Sequence, residues 1–308
     1  MSSIAKFPVE FHVTESSTPD GNYQTLKMSE PRELIQPSTL EELELPSELD
    51  LDREIILYNI KPSWLCSHLT ILCKTAPWVA YYDINIKKGI VVYSRVSTFE
   101  IGDTIPINTN RNPGTAILIG GPPESGKSVL SYALFQALRD QKYNLNVFLK
   151  SANWDGEGKW MFEMIQGAIA DQLKERNTRR LHEEENGNEL MIKFFHDQAN
   201  GVKNIKDVMD AVLVDVGGKV QEHKLPVLQQ CSHYIIISRE REKVIEWQNF
   251  FGQSLKPLIV IHSVLEERLE ILQTDPFLEV VAGPWITGKT VRVPDVILAH
   301  ILQAINRF

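Results

Sequence analysis

The chain has 308 residues, of which 43% are hydrophobic and 23% charged, and its formal net charge is −8. Those figures suit one large or two ordinary globular domains with sizeable cores, and they exclude a disordered or collagen-like chain. The acidic balance argues against a surface that tracks a long nucleic-acid duplex, but leaves room for a local basic pocket that takes a small nucleotide.

Three cysteines, Cys66, Cys73 and Cys231, match no zinc or redox spacing and read as reduced core thiols. No stretch approaches about 18 uninterrupted apolar residues, and the first residues lack a basic-then-apolar leader pattern. The expectation is a cytoplasmic protein without a membrane segment.

In chain order, residues 1–45 carry the weakest patterning; His12, in the apolar setting FHV, reads as structural. EIILYNI then reads as a strand, SWLCSHLTILCK as a helix, and WVAYYDI and GIVVYSR as two more strands, with IGD as a turn. Strand, helix, strand, strand suggests a small α+β sheet of the ferredoxin-like kind. INTNRNPGT, residues 107–115, is a polar Gly/Pro-containing seam. It sets expected domains at 1–108 and 114–308.

After the seam, TAILIGG is a short buried strand and SVLSYALFQALRD has helical spacing. NLNVFLKS is a second strand, followed by helical segments from about 158 to 198, with the charged LHEEENGNE as a solvated loop. AVLVDVGG, YIIISR and LIVIHSV follow, each expected to lead into a helix. This βα alternation predicts a doubly wound, mainly parallel sheet with helices on both faces.

Two stretches fit G-x-x-x-x-G-K-[ST]: GPPESGKS at 121–128 and GPWITGKT at 283–290. The pattern holds phosphate only when a strand precedes it and a helix follows, so that backbone N–H groups and a helix N-terminus face the anion. The first has both. Gly121 and Gly126 permit the turn, and Pro122, Pro123, Glu124 and Ser125 fill the loop. Lys127 would reach the β- and γ-phosphates of ATP, and the Ser128 hydroxyl would ligate Mg²⁺. The second is followed by TVRVPD, which is β-branched and carries a proline, and reads as a turn between two late strands.

A magnesium-nucleotide site also needs an acid at a strand end. In VLVDVGG, Asp215 is placed to hold Mg²⁺ and Gly218 to let the backbone approach the γ-phosphate. Asp155 and Glu157, in SANWDGEGKW, either activate water or an acceptor or are solvated turn acids. Arg239 and Arg241, in SRERE, touch phosphate or start a charged helix. The acid strand and loop acids fit a P-loop kinase at least as well as an AAA-type ATPase.

The run from Asp52 to Ile107 resembles the CRISPR-associated proteins of the Csx-three family. The resemblance lies in Pro62 and Trp64 at the helix start, the helix end before Ala76-Pro77, the WVAYYD and GIVV strands, and the closing GD turn. Members of that family occur fused to a C-terminal domain described as AAA-type. The resemblance implies a ferredoxin-like, oligomeric domain that binds cyclic tetra-adenylate, the second messenger of type III CRISPR defence. It implies ring-nuclease activity, in which a ribose 2′-OH attacks the neighbouring phosphate. The ATP domain would then modulate this activity, or the ring would only be sensed and would switch the ATPase or kinase.

Carried onto this chain, the family's aspartate falls on Asp83, and a family histidine falls on or beside Lys74. A second falls near Val96, so neither histidine is present, which argues against the manganese site that the resemblance also implies. His68 lies on the same helix. On this reading Lys74 would stabilise the phosphorane and Asp83 orient the ribose, with Lys61, Ser63, Trp64, Ser94 and Arg95 around the ring.

Overall fold

The computed structural model describes residues 9–29, 35–108, 111–140, 143, 145–153, 186–286, 288 and 291–305. The chain divides into two compact units, Met1–Asn110 and Arg111–Phe308. No helix among the described residues is long and apolar enough to cross a membrane.

In the first unit, Pro19 and Asp20 turn the chain tightly between β1 (Phe11–Thr18) and β2 (Gly21–Met28), which pair in antiparallel register from Thr18↔Gly21 to Phe11↔Met28. The Thr18 hydroxyl donates to the Gly21 carbonyl at 2.8 Å and closes the turn. Then come β3 (Ile55–Tyr58), α1 (Ser63–Leu72), β4 (Trp78–Asp83), β5 (Lys88–Ser94) and β6 (Thr104–Pro106). The sheet order is β1-β2-β3-β4-β5-β6. The β2–β3 and β3–β4 pairs are parallel and the others antiparallel.

This order corrects the ferredoxin-like expectation. A ferredoxin-like sheet interleaves its strands and is antiparallel; here six strands lie in chain order, with two parallel pairs at the centre. The β3–α1–β4 segment is one parallel crossover, because parallel neighbours need a connection that returns along the sheet. Leu65 and Leu69 of α1 are fully buried against Leu26, Ile55, Leu57 and Val79. His12 is exposed on β1, contrary to the structural role expected from its apolar neighbours, because alternation puts Phe11 and Val13 on the opposite face.

The second unit opens with β7 (Thr115–Gly120), all six residues buried, and α2 (Lys127–Leu138). Next are β8 (Val147–Ala152), α3 (Gly187–Lys206), β9 (Ala211–Val216), the helical turn α4 (Leu225–Leu228), β10 (His233–Ser238) and α5 (Arg241–Phe251). β11 (Lys256–Ser263), β12 (Arg268–Gln273), β13 (Leu278–Gly283) and α6 (Asp295–Ile305) complete it. The sheet order is β12-β13-β11-β10-β7-β9-β8, parallel throughout except where β12 meets β13.

Helices cover both faces, as βαβ crossovers require. Leu130, Leu134 and Leu138 of α2 and Ile297 and Ile301 of α6 pack on Ile117, Leu213, Ile235 and Ile261. Tyr234, one position from Ile235 and so on the other face, meets Phe251 of α5 at 5.4 Å between rings. Deleting a side chain such as Leu213 from this dry centre costs about 2–5 kcal/mol.

Two expectations fail here. LIVIHSV is followed not by a helix but by β12, which lies at the sheet edge with five of its six residues exposed and hydrogen-bonds to β13. GPWITGKT is not a turn between strands: β13 ends at Gly283, Val291–Pro294 form no strand, and α6 begins at Asp295.

Candidate nucleotide site

All parallel strands of the second unit end on one edge of the sheet, where doubly wound proteins place their ligands. β7 delivers Gly121–Gly126 there and α2 starts at Lys127. Gly121 has φ +154° and Gly126 φ +91°, and Glu124 adopts φ +58°. A left-handed residue at the helix N-cap is open to glycine at little cost. Space matters as much: a Cβ at Gly121 would lie 2.0 Å from the Ile237 carbonyl oxygen of β10, and one at Gly126 2.5 Å from Trp285 Cβ. The loop is therefore wedged between β10 and the segment that leaves β13.

β9 pairs directly with β7, and Asp215 stands opposite Ile119. This places its carboxylate 3.1 Å from Lys127 Nζ, with only 9% of the lysine side chain and 12% of the aspartate exposed. The contact is a charge contact and not an aligned hydrogen bond, since Asp215 Oδ1 has no hydrogen-bond partner. Ser125 Oγ is also buried and has no hydrogen-bond partner among the described residues. Gly218 brings the turn after β9 onto the loop, its built Cβ lying 2.8 Å from Pro123 N.

These features fit a magnesium nucleotide. Mg²⁺ takes one or two carboxylate or hydroxyl ligands and completes its shell with water and phosphate oxygens. Asp215, whose buried Oδ1 meets Lys127 without a hydrogen bond, and Ser128, one residue beyond Lys127, are candidate donors among the described residues. With a magnesium nucleotide bound, Asp215 would serve as a metal ligand and the Lys127 ammonium would hold phosphate.

Lys224 carries no motif, yet it supports this turn. Its side chain is fully buried, and its ammonium donates to the Gly217 carbonyl at 2.8 Å and to the Lys219 carbonyl, 5.8 Å from the Trp247 ring centre. Nothing in HKLPVLQQ distinguishes this lysine from a surface one. Asn153, at the end of β8, also abuts the turn, with Oδ1 2.8 Å from a built Gly217 Cβ. Asp155 and Glu157 lie outside the described residues. Arg239 and Arg241 are exposed, and Arg241 is the first residue of α5, the charged helix start of the two readings.

The candidate ring residues of the first unit divide between the two ends of its sheet. Asp83 ends β4 and its Oδ1 accepts from the Asn85 backbone N–H at 2.8 Å and side-chain amide at 3.1 Å, holding the β4–β5 turn. Lys61 and Ser63 follow β3 at this same end, where the parallel β3 and β4 terminate. Lys74 lies at the other end, its carbonyl accepting from Tyr93 Oη at 2.9 Å. Ser94 and Arg95 are there too, and Arg95 N–H donates to the Pro77 carbonyl. β4 has six residues, so its ends are about 17 Å apart at about 3.3 Å per residue. His68 lies along α1 between them, and Trp64 is half-buried against the core.

The sheet order, the glycine-rich turn between β7 and α2 and the Lys127–Asp215 pair give the second unit a doubly wound, P-loop-like fold. For the first unit, residues 28–106 match the family described as CRISPR-associated protein (Cas_csx3). No curated protein matches the chain. Among solved structures, the chain is similar to a putative plasmid partition protein of Borrelia burgdorferi bound to AMPPNP. That pair shares 17% identity over 63% of this chain and 98% of the other, with a TM-score of 0.39. It is also similar to cobyrinic acid a,c-diamide synthase of Mycobacterium smegmatis with a bound ATP analogue and magnesium, at 12% identity over 50% and 74% of the two chains and a TM-score of 0.35. The kinase domain of the Escherichia coli tyrosine kinase ETK gives 16%, 48%, 67% and 0.34.

Proposed function

We propose that the second unit binds Mg²⁺-ATP and transfers or hydrolyses its terminal phosphate, and that the first unit recognises cyclic tetra-adenylate and switches this activity in a CRISPR response. The observation that carries the nucleotide reading is the Lys127–Asp215 pair at 3.1 Å, beside a loop whose Gly121 and Gly126 leave no room for a side chain. The direct β7–β9 pairing supports a kinase-like unit over an AAA type, in which a further strand separates the P-loop strand from the acid-bearing strand.

Sensing is favoured over cutting by one specific arrangement. Lys74 and Asp83 sit at opposite ends of β4, so one copy of this unit does not bring them to the same phosphate. Asp83 is also engaged in its own turn. In-line attack of a 2′-OH needs groups placed within a few ångströms of the reacting atoms. Ring cleavage, the first reading of the sequence, becomes the second here, and it would require a pairing of copies that joins the two ends.

The test is one incubation of the purified chain with radiolabelled cyclic tetra-adenylate, with and without Mg²⁺-ATP, beside Asp83→Ala and Lys127→Ala. An intact ring that accelerates ATP turnover, lost in Lys127→Ala, is the expected result. Linear adenylates that vanish in Asp83→Ala would establish cutting instead. Absence of ATP binding would refute the nucleotide reading.

A further inference from the structure

β12 is the outermost strand of the second sheet. β13 lies on one side of it, and among the described residues no strand meets the backbone N–H and C=O groups on the other. Such an edge is a template for a further strand, and proteins blunt it with proline, lysine or a covering element. Arg268–Gln273 reads RLEILQ, without proline or lysine, and five of its six residues are exposed.

The register shows what this edge presents. Leu269 stands opposite Ala282 and Ile271 opposite Val280, so both share the face on which Ala282 and Val280 are buried in the core with α6. Leu269 and Ile271 are nevertheless each 50% exposed, so the cover over this face ends short of β12. Arg268 and Glu270 share the opposite face, where they pair with each other. Between Ile271 and Gln273 the register slips, and a bulge of this kind bends the strand. The straight part of the edge therefore ends at Ile271.

This stretch is complementary to itself. Two antiparallel copies related by a two-fold axis normal to the sheet set one residue of β12 opposite its own copy, and the remaining register follows. An axis at Arg268 or Glu270 sets like charges directly opposite, which is destabilising. An axis at Ile271 carries the pairing into the bulge and puts Leu269 opposite Gln273. An axis at Leu269 sets Leu269 against Leu269 on the apolar face, with Ile271 opposite Glu267 and diagonal to the second copy's Leu269. On the other face each Arg268 then meets the second copy's Glu270. Two guanidinium and two carboxylate groups alternate there as a network, where a single exposed pair is worth little.

We propose that a second copy of this chain pairs along β12, antiparallel, with Leu269 on the two-fold axis, joining the two seven-stranded sheets into one. The axis reverses the strand directions, so the edges that carry the two phosphate loops face opposite ways and both stay open. The pairing is independent of what those loops bind.

The experiment is disulfide trapping in the full chain, with copper phenanthroline as oxidant and non-reducing electrophoresis as the readout. Leu269→Cys should cross-link into a dimer, because directly opposed Cβ atoms lie about 4.5–5.5 Å apart, close to the reach of a disulfide. Ile271→Cys is a control of equal exposure on the same face. About this axis the two Ile271 positions lie four residues apart along the strand, about 13 Å at about 3.3 Å per residue, so this variant should not cross-link. In the Leu269→Cys chain, Arg268→Glu or Glu270→Arg should remove most of the dimer, and the two changes together should restore it. Leu269→Cys no more cross-linked than wild type, with its native cysteines, would overturn the proposal. Equal cross-linking at both positions would do the same, since that is random collision, and so would a charge exchange that fails to restore the dimer. Copies held together through the first unit alone would leave Leu269→Cys unlinked, so they cannot mimic the expected result.

Discussion

Lys127 and Asp215 are a nearly dry ion pair, and this has a thermodynamic signature separate from catalysis. At 3.1 Å and an effective dielectric of about 20, their attraction is about 5 kcal/mol before any desolvation cost is subtracted. Removing one partner strands the other charge, which typically costs about 3–5 kcal/mol. Lys127→Met and Asp215→Asn should each destabilise the second unit by about 3 kcal/mol, the low end, because both side chains keep a tenth of their exposure. The double variant strands no charge and should cost well under the sum, giving a coupling of at least about 2 kcal/mol. Urea unfolding of the full chain without nucleotide, followed through the buried Trp247 and Trp285, reads these values from the transition of the second unit. A coupling below about 0.5 kcal/mol would refute the argument, because independent sites add to within that margin. Mg²⁺-ATP at about 100 times its Kd should then add about 2.7 kcal/mol to wild type and nothing to Lys127→Met.

Gly126→Ala combines a left-handed backbone, worth about 1–2 kcal/mol, with a Cβ 2.5 Å from Trp285, so thermal melting should show a loss above 2 kcal/mol with nucleotide binding abolished. Lys224→Met leaves the Gly217 and Lys219 carbonyls without their buried donor; it should cost about 2–4 kcal/mol by urea unfolding and lower kcat/KM for ATP more than Arg239→Met does. His223 is held below its ordinary pKa by burial, then by the Lys224 charge. Its neutral form is the folded one, so the unfolded chain binds the proton first as pH falls. The second unit should lose stability from about pH 6.5 downwards, and less so in His223→Gln, by melts across pH. Burial pushes the Cys73 thiol up to about 11 and that of Cys231 to about 12, so at pH 8 an aromatic disulfide reagent should label neither until the chain unfolds.

Much of this architecture was legible where one physical signal dominated. AILIG and AVLVDV have no polar face, so they had to be central strands, and their burial on both sides follows. Trp64 to Leu72 repeats apolar residues at helical spacing, and the helix lies there. The failures came where two signals compete. RLEILQ alternates charge with Leu and Ile and suits either a helix or an edge strand; only its hydrogen bonds to β13, made across the fold, decide the matter. In the first unit the strand, helix, strand, strand order was readable, but the β1–β2 hairpin lay in the weakly patterned start. Without those two strands the sheet looked shorter and more ferredoxin-like than it is. Lys74 and Asp83 are nine residues apart in sequence, and no motif reveals that an extended strand separates them.

The two G-x-x-x-x-G-K-[ST] stretches show why a motif is a claim about its neighbours. At 121–128 the loop joins a buried strand to a helix that begins at the lysine, and a carboxylate from the adjoining strand meets that lysine. At 283–290 the strand is present, but among the described residues that follow no helix begins until Asp295, after Pro294. Pro294 fits the helix start, where a missing N–H costs little, and this shifts the first turn of α6 past the sequence motif. Gly283 is needed for a different reason: a Cβ there would lie 2.1 Å from the Val264 carbonyl oxygen, so this glycine serves the packing of β13 against the chain after β11. The same letters thus arise from two unrelated steric demands, and the stretch that cannot cradle phosphate is placed to wall the cradle that can.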